Sequence, residues 1–517
     1  MTKKRIIGAI ISIVFVAVLG IGVLHYSGYS LQDFIGETAS EELEEFFDEN
    51  GIFKPAKEET KQAINDLSKA YGIILDKGTR EFYEGYPVDQ AFLMWLNKRF
   101  GDETIMDMAY RMYEGYWGND LWYRETGNTL HVLWLMYCEE KQYATYNLKN
   151  VHWMESAEGD TITIDFTGDI NLADDWHTMQ EAVTRENGIY DCISPEIVKE
   201  LQSADVSVIN NEFVFTDDDS NRQRDKAYTF GAKTANVTML EAFSADLANL
   251  ANNHAYDYRA PGLIDTIATL ENEGIITMGA GENLEEAKAI QYLIVKGRKI
   301  AFVSATEIER YTNYTKQATT TEAGVLKTKD LTIYEGVIRE AAENSDYVIA
   351  NIHWGNEGSF SYSGAQYNMA AKLVAAGADA VIGGHPHRLQ GIEYINNTPV
   401  AFSLGNFWFS TGTLYTTIAQ IEIDKDGDLA LRMIPCLQKD LTTTMLSNTE
   451  AVDFYKFVAD VSKNIAIDAD GYIYNTANEQ TDEQMRDAVY RSGMSYATYT
   501  GLKDLEDRRI DIVGNLQ

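Results

Sequence analysis

Apolar positions recur in two rhythms along this chain. In residues 55–75, Ala63, Ile64, Leu67, Ala70, Tyr71 and Ile74 follow helical spacing. Pro87 opens a similar stretch, VDQAFLMWLNKRF, and residues 104–113 continue it. Residues 122–143 are aromatic and apolar, which reads as core or as a face packed on the next domain. From Thr161 the rhythm shortens into β-rich runs at 161–167, 206–210, 246–252, 275–278, 300–303, 347–352 and 380–382. Helical stretches, including 330–342 and 365–376, lie between them, and the alternation predicts an α/β domain. Hairpin patterns follow: 392–394 with 400–404 across Asn396-Asn397, then 415–423 with 429–434 across a turn at 425–428. Residues 440–517 read as helical and polar, a terminal packing element rather than an envelope contact.

The longest apolar run stands near the N-terminus. Residues 6–24, IIGAIISIVFVAVLGIGVL, carry no charge and follow Lys3, Lys4 and Arg5. As a helix rising ~1.5 Å per residue, that run covers roughly the bilayer hydrocarbon core. The basic flank predicts a signal anchor, with the N-terminus cytoplasmic and the rest of the chain outside. Gly20, Gly22 and Ser27 leave a cleaved signal peptide as the alternative. The expected organisation is a transmembrane helix in 1–30, a helical region in 31–155, an α/β domain in 156–440 and a helical extension in 441–517. The expected place is the cell membrane, single-pass, with the bulk extracytoplasmic.

Composition narrows the partners. At 517 residues the chain exceeds one ordinary core. Its net charge of −36 argues against a nucleic-acid partner. An anionic substrate would then need a metal or a local basic patch. Arg222, Arg224 and Lys226 form such a patch, which reads as a solvated loop or, more sharply, as an anion guide. The 3 cysteines are scattered, without CxxC, so neither a disulfide framework nor a thiolate zinc site is expected.

Candidate chemistry sits where apolar strands end. TITIDFTG leads into Asp169, DVSVIN into Asn211 and Glu212, and DLANLAN into Asn253 and His254. DYVIANI leads into His353, and DAVIGG into His385 and His387. Ligands of open α/β sheets bind outside the carboxyl ends of the strands. Those ends would bring Asp, Glu, Asn and four of the 8 histidines to one edge. Oxygen and imidazole donors together suit one or two divalent ions such as Zn, Mn or Fe. Two ions ~4 Å apart clamp phosphoryl oxygens and acidify a water, and a further histidine can protonate the leaving oxygen.

Six motifs in order, GDINL, INNEF, LANNHAYDY, IHWGNE, GGHPHRLQGIE and AFSLGNFWF, resemble the CapA family of capsule and poly-γ-glutamate biosynthesis proteins. That family is similar to the calcineurin-like metallophosphoesterases, and the resemblance covers about residues 161–435. It implies a metallophosphoesterase-like layered α/β domain. By that resemblance, Asp169 and His387 would hold a first metal and Glu212 would bridge. Asn253, His353 and His385 would hold a second metal, and His254 would be the catalytic acid. Asn171, Arg259, Arg388 and Asn406 are candidate substrate contacts. The superfamily's first motif is D-x-H, whereas this chain has Asp169-Ile170-Asn171, which weakens the first site. Tyr258-Arg259 also stands where the family usually carries Gly after the aspartate-tyrosine pair. The expected activity is a phosphoester hydrolase or transferase in capsule or envelope polymer synthesis. The alternative is a non-catalytic component that binds the polymer or its synthase and export proteins.

Overall fold

The first described helices lie where the apolar spacing predicts them. The computed structural model describes residues 58–76, 88, 90–116, 118–141 and 150–477. The expected membrane segment lies outside these residues. Among the described residues, no helix is long and apolar enough to cross a membrane.

The chain divides into two compact units, Met1–Trp117 and Gly118–Gln517. In the first, helices Glu58–Asp76, Gln90–Phe100 and Asp102–Tyr113 pack together. Their stripes Ile64, Leu67, Phe92, Leu96, Ile105 and Met108 are fully withdrawn from water.

The second unit begins earlier than expected. Helices Asn119–Thr126 and Leu130–Lys141 belong to it rather than to a separate helical region ending at 155. The cause is the apolar surface of the second helix, where Val132 and Leu135 pack on Ile294 of a sheet strand. Tyr123 Oη also donates to the Lys296 carbonyl at 3.0 Å.

Two sheets follow. In the seven-stranded sheet, the order is Val151–Trp153, Gln291–Val295, Arg298–Thr306, Tyr347–His353, Ala380–Gly384, Thr398–Ala401 and Ile392–Ile395. In the ten-stranded sheet, the parallel strands Ile162–Ile170, Val206–Asn211, Leu247–Asn249 and Ile276–Met278 lie side by side. Leu414–Ile423 and Leu429–Lys439 continue it antiparallel, and Asn406–Trp408 pairs with the end of Ile162–Ile170.

Period-two alternation explains the layering. Ile162, Ile164, Phe166, Val206 and Val208 face Ile300, Phe302, Ile349 and Ile382 across the gap between the sheets. The Phe166 and Phe302 rings lie 6.4 Å apart. The intervening residues Ala301, Val303, Val348 and Ala350 face outward, onto helices Leu331–Asn344 and Gly364–Ala376. Ile170, Ile209 and Ala248 do the same with helices Pro195–Ser203 and Arg259–Asn272. The result is helix, sheet, sheet, helix. Helix Gly364–Ala376 shows how local sequence sets the ends: Ser363 and Gln366 form a capping box, and Gly377 closes it with φ 115°.

The C-terminal expectation needs correction. Residues 441–477 are not simply a helical extension. Thr442–Met445, Ile465–Ile467 and Tyr472–Asn475 enlarge the ten-stranded sheet, with only Asn448–Val461 helical between them. Alternate apolar side chains, Ile465, Ile467 and Ile473, are buried there, which is a strand's periodicity in pieces too short to recognise.

One buried acid makes this fold sensitive to pH. Asp165 is fully buried; Gln420 Nε2 donates to its Oδ1 at 2.9 Å, while Oδ2 has no hydrogen-bond partner. Burial, with Glu200 and Glu422 nearby, pushes its carboxyl up to about 8. The unfolded chain therefore loses this proton first. Stability is fully present below the unfolded value near pH 4 and declines as pH rises toward 8, by up to about 1.4 kcal/mol per unit. Asp165→Asn is expected to flatten that decline and to melt higher than the parent at pH 8. Thermal melts of both proteins between pH 5 and 8 check this, and a parent as pH-dependent as the variant contradicts it.

Candidate metal centre

The parallel strands of both sheets deliver their carboxyl ends to one region, and backbone geometry there is tight. A Cβ on Gly168 would stand 2.1 Å from the Gly405 carbonyl oxygen, so only glycine lets the two segments meet. The Asp169 N–H then donates to that same oxygen at 2.8 Å. His385 and His387 have φ of 96° and 53°, a region that L side chains seldom occupy. Strain of this kind, on the order of 1–3 kcal/mol per residue, persists where the surroundings impose it, and it is concentrated at functional sites.

The side chains converge. One donor atom from each of Glu212, His353 and His385 lies within 4.8 Å of the others, and the same holds for Asp169, Glu212 and His387. The two sets share Glu212. His353 Nε2 is 3.3 Å from Glu212 Oε1 and 2.9 Å from Asn253 Oδ1. His387 Nδ1 is 3.1 Å from Asp169 Oδ2, and its Nε2 is 3.9 Å from Glu212 Oε1.

Asn210 steadies the cluster by donating from Nδ2 to Asp169 Oδ1 at 2.7 Å. Asn252 Nδ2 donates to the Asn211 carbonyl at 2.9 Å, and Asn252 Oδ1 accepts the His254 N–H at 3.0 Å. The turn after Leu247–Asn249 is thereby tied to the neighbouring strand.

Electrostatics separate the members. Burial and the adjacent Asp169 charge hold the Glu212 carboxyl well above its ordinary range. Burial works to raise Asp169 too, but His387, His353 and Asn210 bring it below the ordinary value. Burial lowers His353 to about 3 and takes His385 well below the usual imidazole range, keeping both neutral. Burial acts against the His387 cation, yet Glu212 and Asp169 raise it to about 9.

These residues fit divalent ions. Both Glu212 oxygens, Asp169 Oδ2 and His385 Nδ1 are buried without a hydrogen-bond partner among the described residues. Buried polar atoms are normally satisfied, and four orphans in one cluster mark a place for cations. Mixed carboxylate and imidazole donors suit Zn, Mn or Fe, as expected from the sequence.

His254 stands beside the cluster. Its Nδ1–H donates to Asp257 Oδ2 at 2.7 Å, and its ring lies 4.4 Å from that of Phe230. Burial lowers its pKa, with Asp257 opposing the shift and Lys226 adding to it. Asn406 Oδ1 meets His387 Nδ1 at 2.8 Å, so this residue contacts the cluster. The other expected substrate contacts are placed differently. Asn171 Oδ1 accepts the Ala173 N–H at 2.8 Å, closing a turn, while its buried Nδ2 has no hydrogen-bond partner among the described residues. Arg259 is exposed at the start of its helix. Arg388 donates to its neighbour's carbonyl, that of His387, at 2.7 Å and lies over the Phe360 ring.

Sequence reading missed Asn210, Asp257 and Lys226. The first two lie inside quoted motifs, and Asp257 is three residues beyond His254, a spacing that pairs side chains within one turn. Neither reading of the basic patch describes Lys226. Its side chain is only 7% exposed and is paired with Asp257.

The family described as "Bacterial capsule synthesis protein PGA_cap" matches residues 163–411. The PGA biosynthesis protein CapA of Bacillus subtilis (strain 168) is 31% identical over 280 residues, 53% of this chain and 71% of that one. The capsule biosynthesis protein CapA of Bacillus anthracis is 30% identical over 295 residues, 54% of this chain and 68% of that one. A solved structure described as a novel phosphatase, from Mycoplasma pneumoniae, superposes with a TM-score of 0.35 at 11% identity, over 55% of this chain and 96% of that one. That last likeness is too loose to build on, whereas the sequence relatives share most of their own length with this chain. The chain belongs to the bacterial capsule synthesis family of the CapA proteins.

Proposed function

We propose that this protein is a metal-dependent phosphoester hydrolase or transferase serving capsule, poly-γ-glutamate or another envelope polymer. The observation that carries the reading is the pair of three-residue donor sets with Glu212 in common. Asp169, Glu212 and His387 would hold one ion; Glu212, Asn253, His353 and His385 would hold the other. Such ions supply positive charge to the phosphoryl oxygens and to the attacking water.

The chain's own residues do the rest. Asn210 and Asn406 orient Asp169 and His387 through hydrogen bonds of 2.7 and 2.8 Å. Asp257 holds the His254 Nδ1–H, which leaves Nε2 as the nitrogen for substrate; in the imidazolium form, its second proton taken up from solvent, Nε2–H would give that proton to the leaving oxygen. Metal analysis of the purified protein, combined with turnover on a phosphoester panel, tests this. Bound divalent metal with turnover of some phosphoester is expected; neither metal nor turnover overturns it.

A second reading has its own observation. The resemblance implies a histidine at Asn171, whose oxygen is instead committed to Ala173. A weakened first site suits a non-catalytic component that binds polymer or synthase. Full envelope function from a variant lacking both His385 and His387 would favour it. Residues 6–24 and their basic flank support anchoring in the cytoplasmic membrane with the domain outside, next to polymer synthase or export proteins. Protease accessibility in intact cells checks that placement.

A further inference from the structure

Lys226 belongs to an exposed loop, with Arg224, Asp225, Ala227 and Tyr228 open to solvent, yet its own side chain turns inward. Lysine is seldom buried unless paired. Here Nζ donates to Asp257 Oδ1 at 2.8 Å and to the Asn253 carbonyl at 2.5 Å, and it lies 3.4 Å from Glu309 Oε1. Two hydrogen bonds and a third oxygen at ion-pair distance therefore surround the ammonium. Asp257 is fully buried, and its other oxygen accepts from His254 Nδ1 at 2.7 Å and the Phe230 N–H at 2.8 Å. A second loop closes the clamp. Thr315 Oγ1 donates to the Asn253 carbonyl at 2.9 Å and lies 2.6 Å from Glu309 Oε2.

We propose that Lys226 is a positioning residue: it locks Asp257 and the Asn253 carbonyl together, and so fixes the rotation of the His254 ring. The inference rests on the phosphoester reading and deepens it. A buried ion pair is a poor way to add stability, since desolvation offsets the attraction. It does set geometry. Without the ammonium, Asp257 keeps a buried oxygen unpaired and turns to recover a partner, and the imidazole it holds turns with it. Nε2 then no longer points at the leaving oxygen.

The test uses the full chain with metal and two phosphoesters that differ only in the leaving alcohol, p-nitrophenol or an alkanol. Alkoxide needs the proton and p-nitrophenolate hardly does. Lys226→Met is expected to lose about tenfold or more in kcat on the alkyl ester and less than about threefold on the p-nitrophenyl ester, with KM little changed. Lys226→Arg should recover most of the loss. Lys226→Met combined with Asp257→Asn should be no worse than the weaker single variant. Equal loss on both esters, or losses that multiply, would overturn the proposal. A second readout needs no turnover: the His254 Nδ1–H proton resonance of the metal-free protein. It should be sharp in the parent and broadened or shifted in Lys226→Met, with the circular dichroism unchanged; Lys226→Gln replaces Met if that variant unfolds. An unchanged resonance overturns the inference. If the parent binds no metal and turns over no phosphoester of the panel, the phosphoester reading fails, and the resonance still decides whether Lys226 holds the ring.

Discussion

Glu212→Gln is expected to abolish tight metal binding while leaving the metal-free protein as stable as the parent or more so. Glu212 is fully buried, and both its oxygens lack a hydrogen-bond partner. A buried carboxylate in that position is a liability until cations meet it. Glutamine spares the metal-free state the cost of a carboxyl that burial and Asp169 hold well above its ordinary range, and takes away the donor that both three-residue sets share. Loss of an outer partner of a metal ligand already weakens binding about 10–100-fold, so loss of the shared ligand should exceed ~100-fold. In thermal melts the parent should gain stability with added Mn or Zn, by about 4 kcal/mol at a thousand times the dissociation constant. The variant should gain almost nothing. A variant that responds to metal as the parent does would refute the bridging role.

His254→Ala is expected to separate binding from chemistry. The residue lies beside the cluster but in neither donor set, and its Nδ1 is committed to Asp257. Metal content and the metal-induced rise in melting temperature should therefore stay near the parent's. Turnover should fall by roughly 10²–10⁴, the usual worth of a positioned general acid. The fall should be steepest for esters with poor leaving groups. Undiminished turnover would remove His254 from the mechanism, and lost metal binding would make it a ligand instead.

Much of this was legible in the chain because strand ends are written in plain chemistry. Asp169, Glu212, His353, His385 and His387 each follow an apolar run, and the parallel register of the two sheets brings those runs' ends together. What stayed hidden was whatever depends on long-range packing. Lys226 looked like surface because its neighbours are surface, and only the fold shows the acids it meets. Helix Leu130–Lys141 was legible as a face packed on the next domain, but its sequence does not tell which strand that face covers, here the one carrying Ile294. Strands as short as Ile465–Ile467 carry too few residues for a period to show. The turn that Asn171 Oδ1 closes with the Ala173 N–H is equally a product of the fold around it.

Distant segments of the chain build one pocket for two cations, and anomalous diffraction from crystals grown with Mn would locate them. Two peaks about 4 Å apart are expected, with Glu212 between them, Asp169 and His387 on one, and His353 and His385 on the other. Peaks elsewhere on this acidic chain, with none at Glu212, would contradict it.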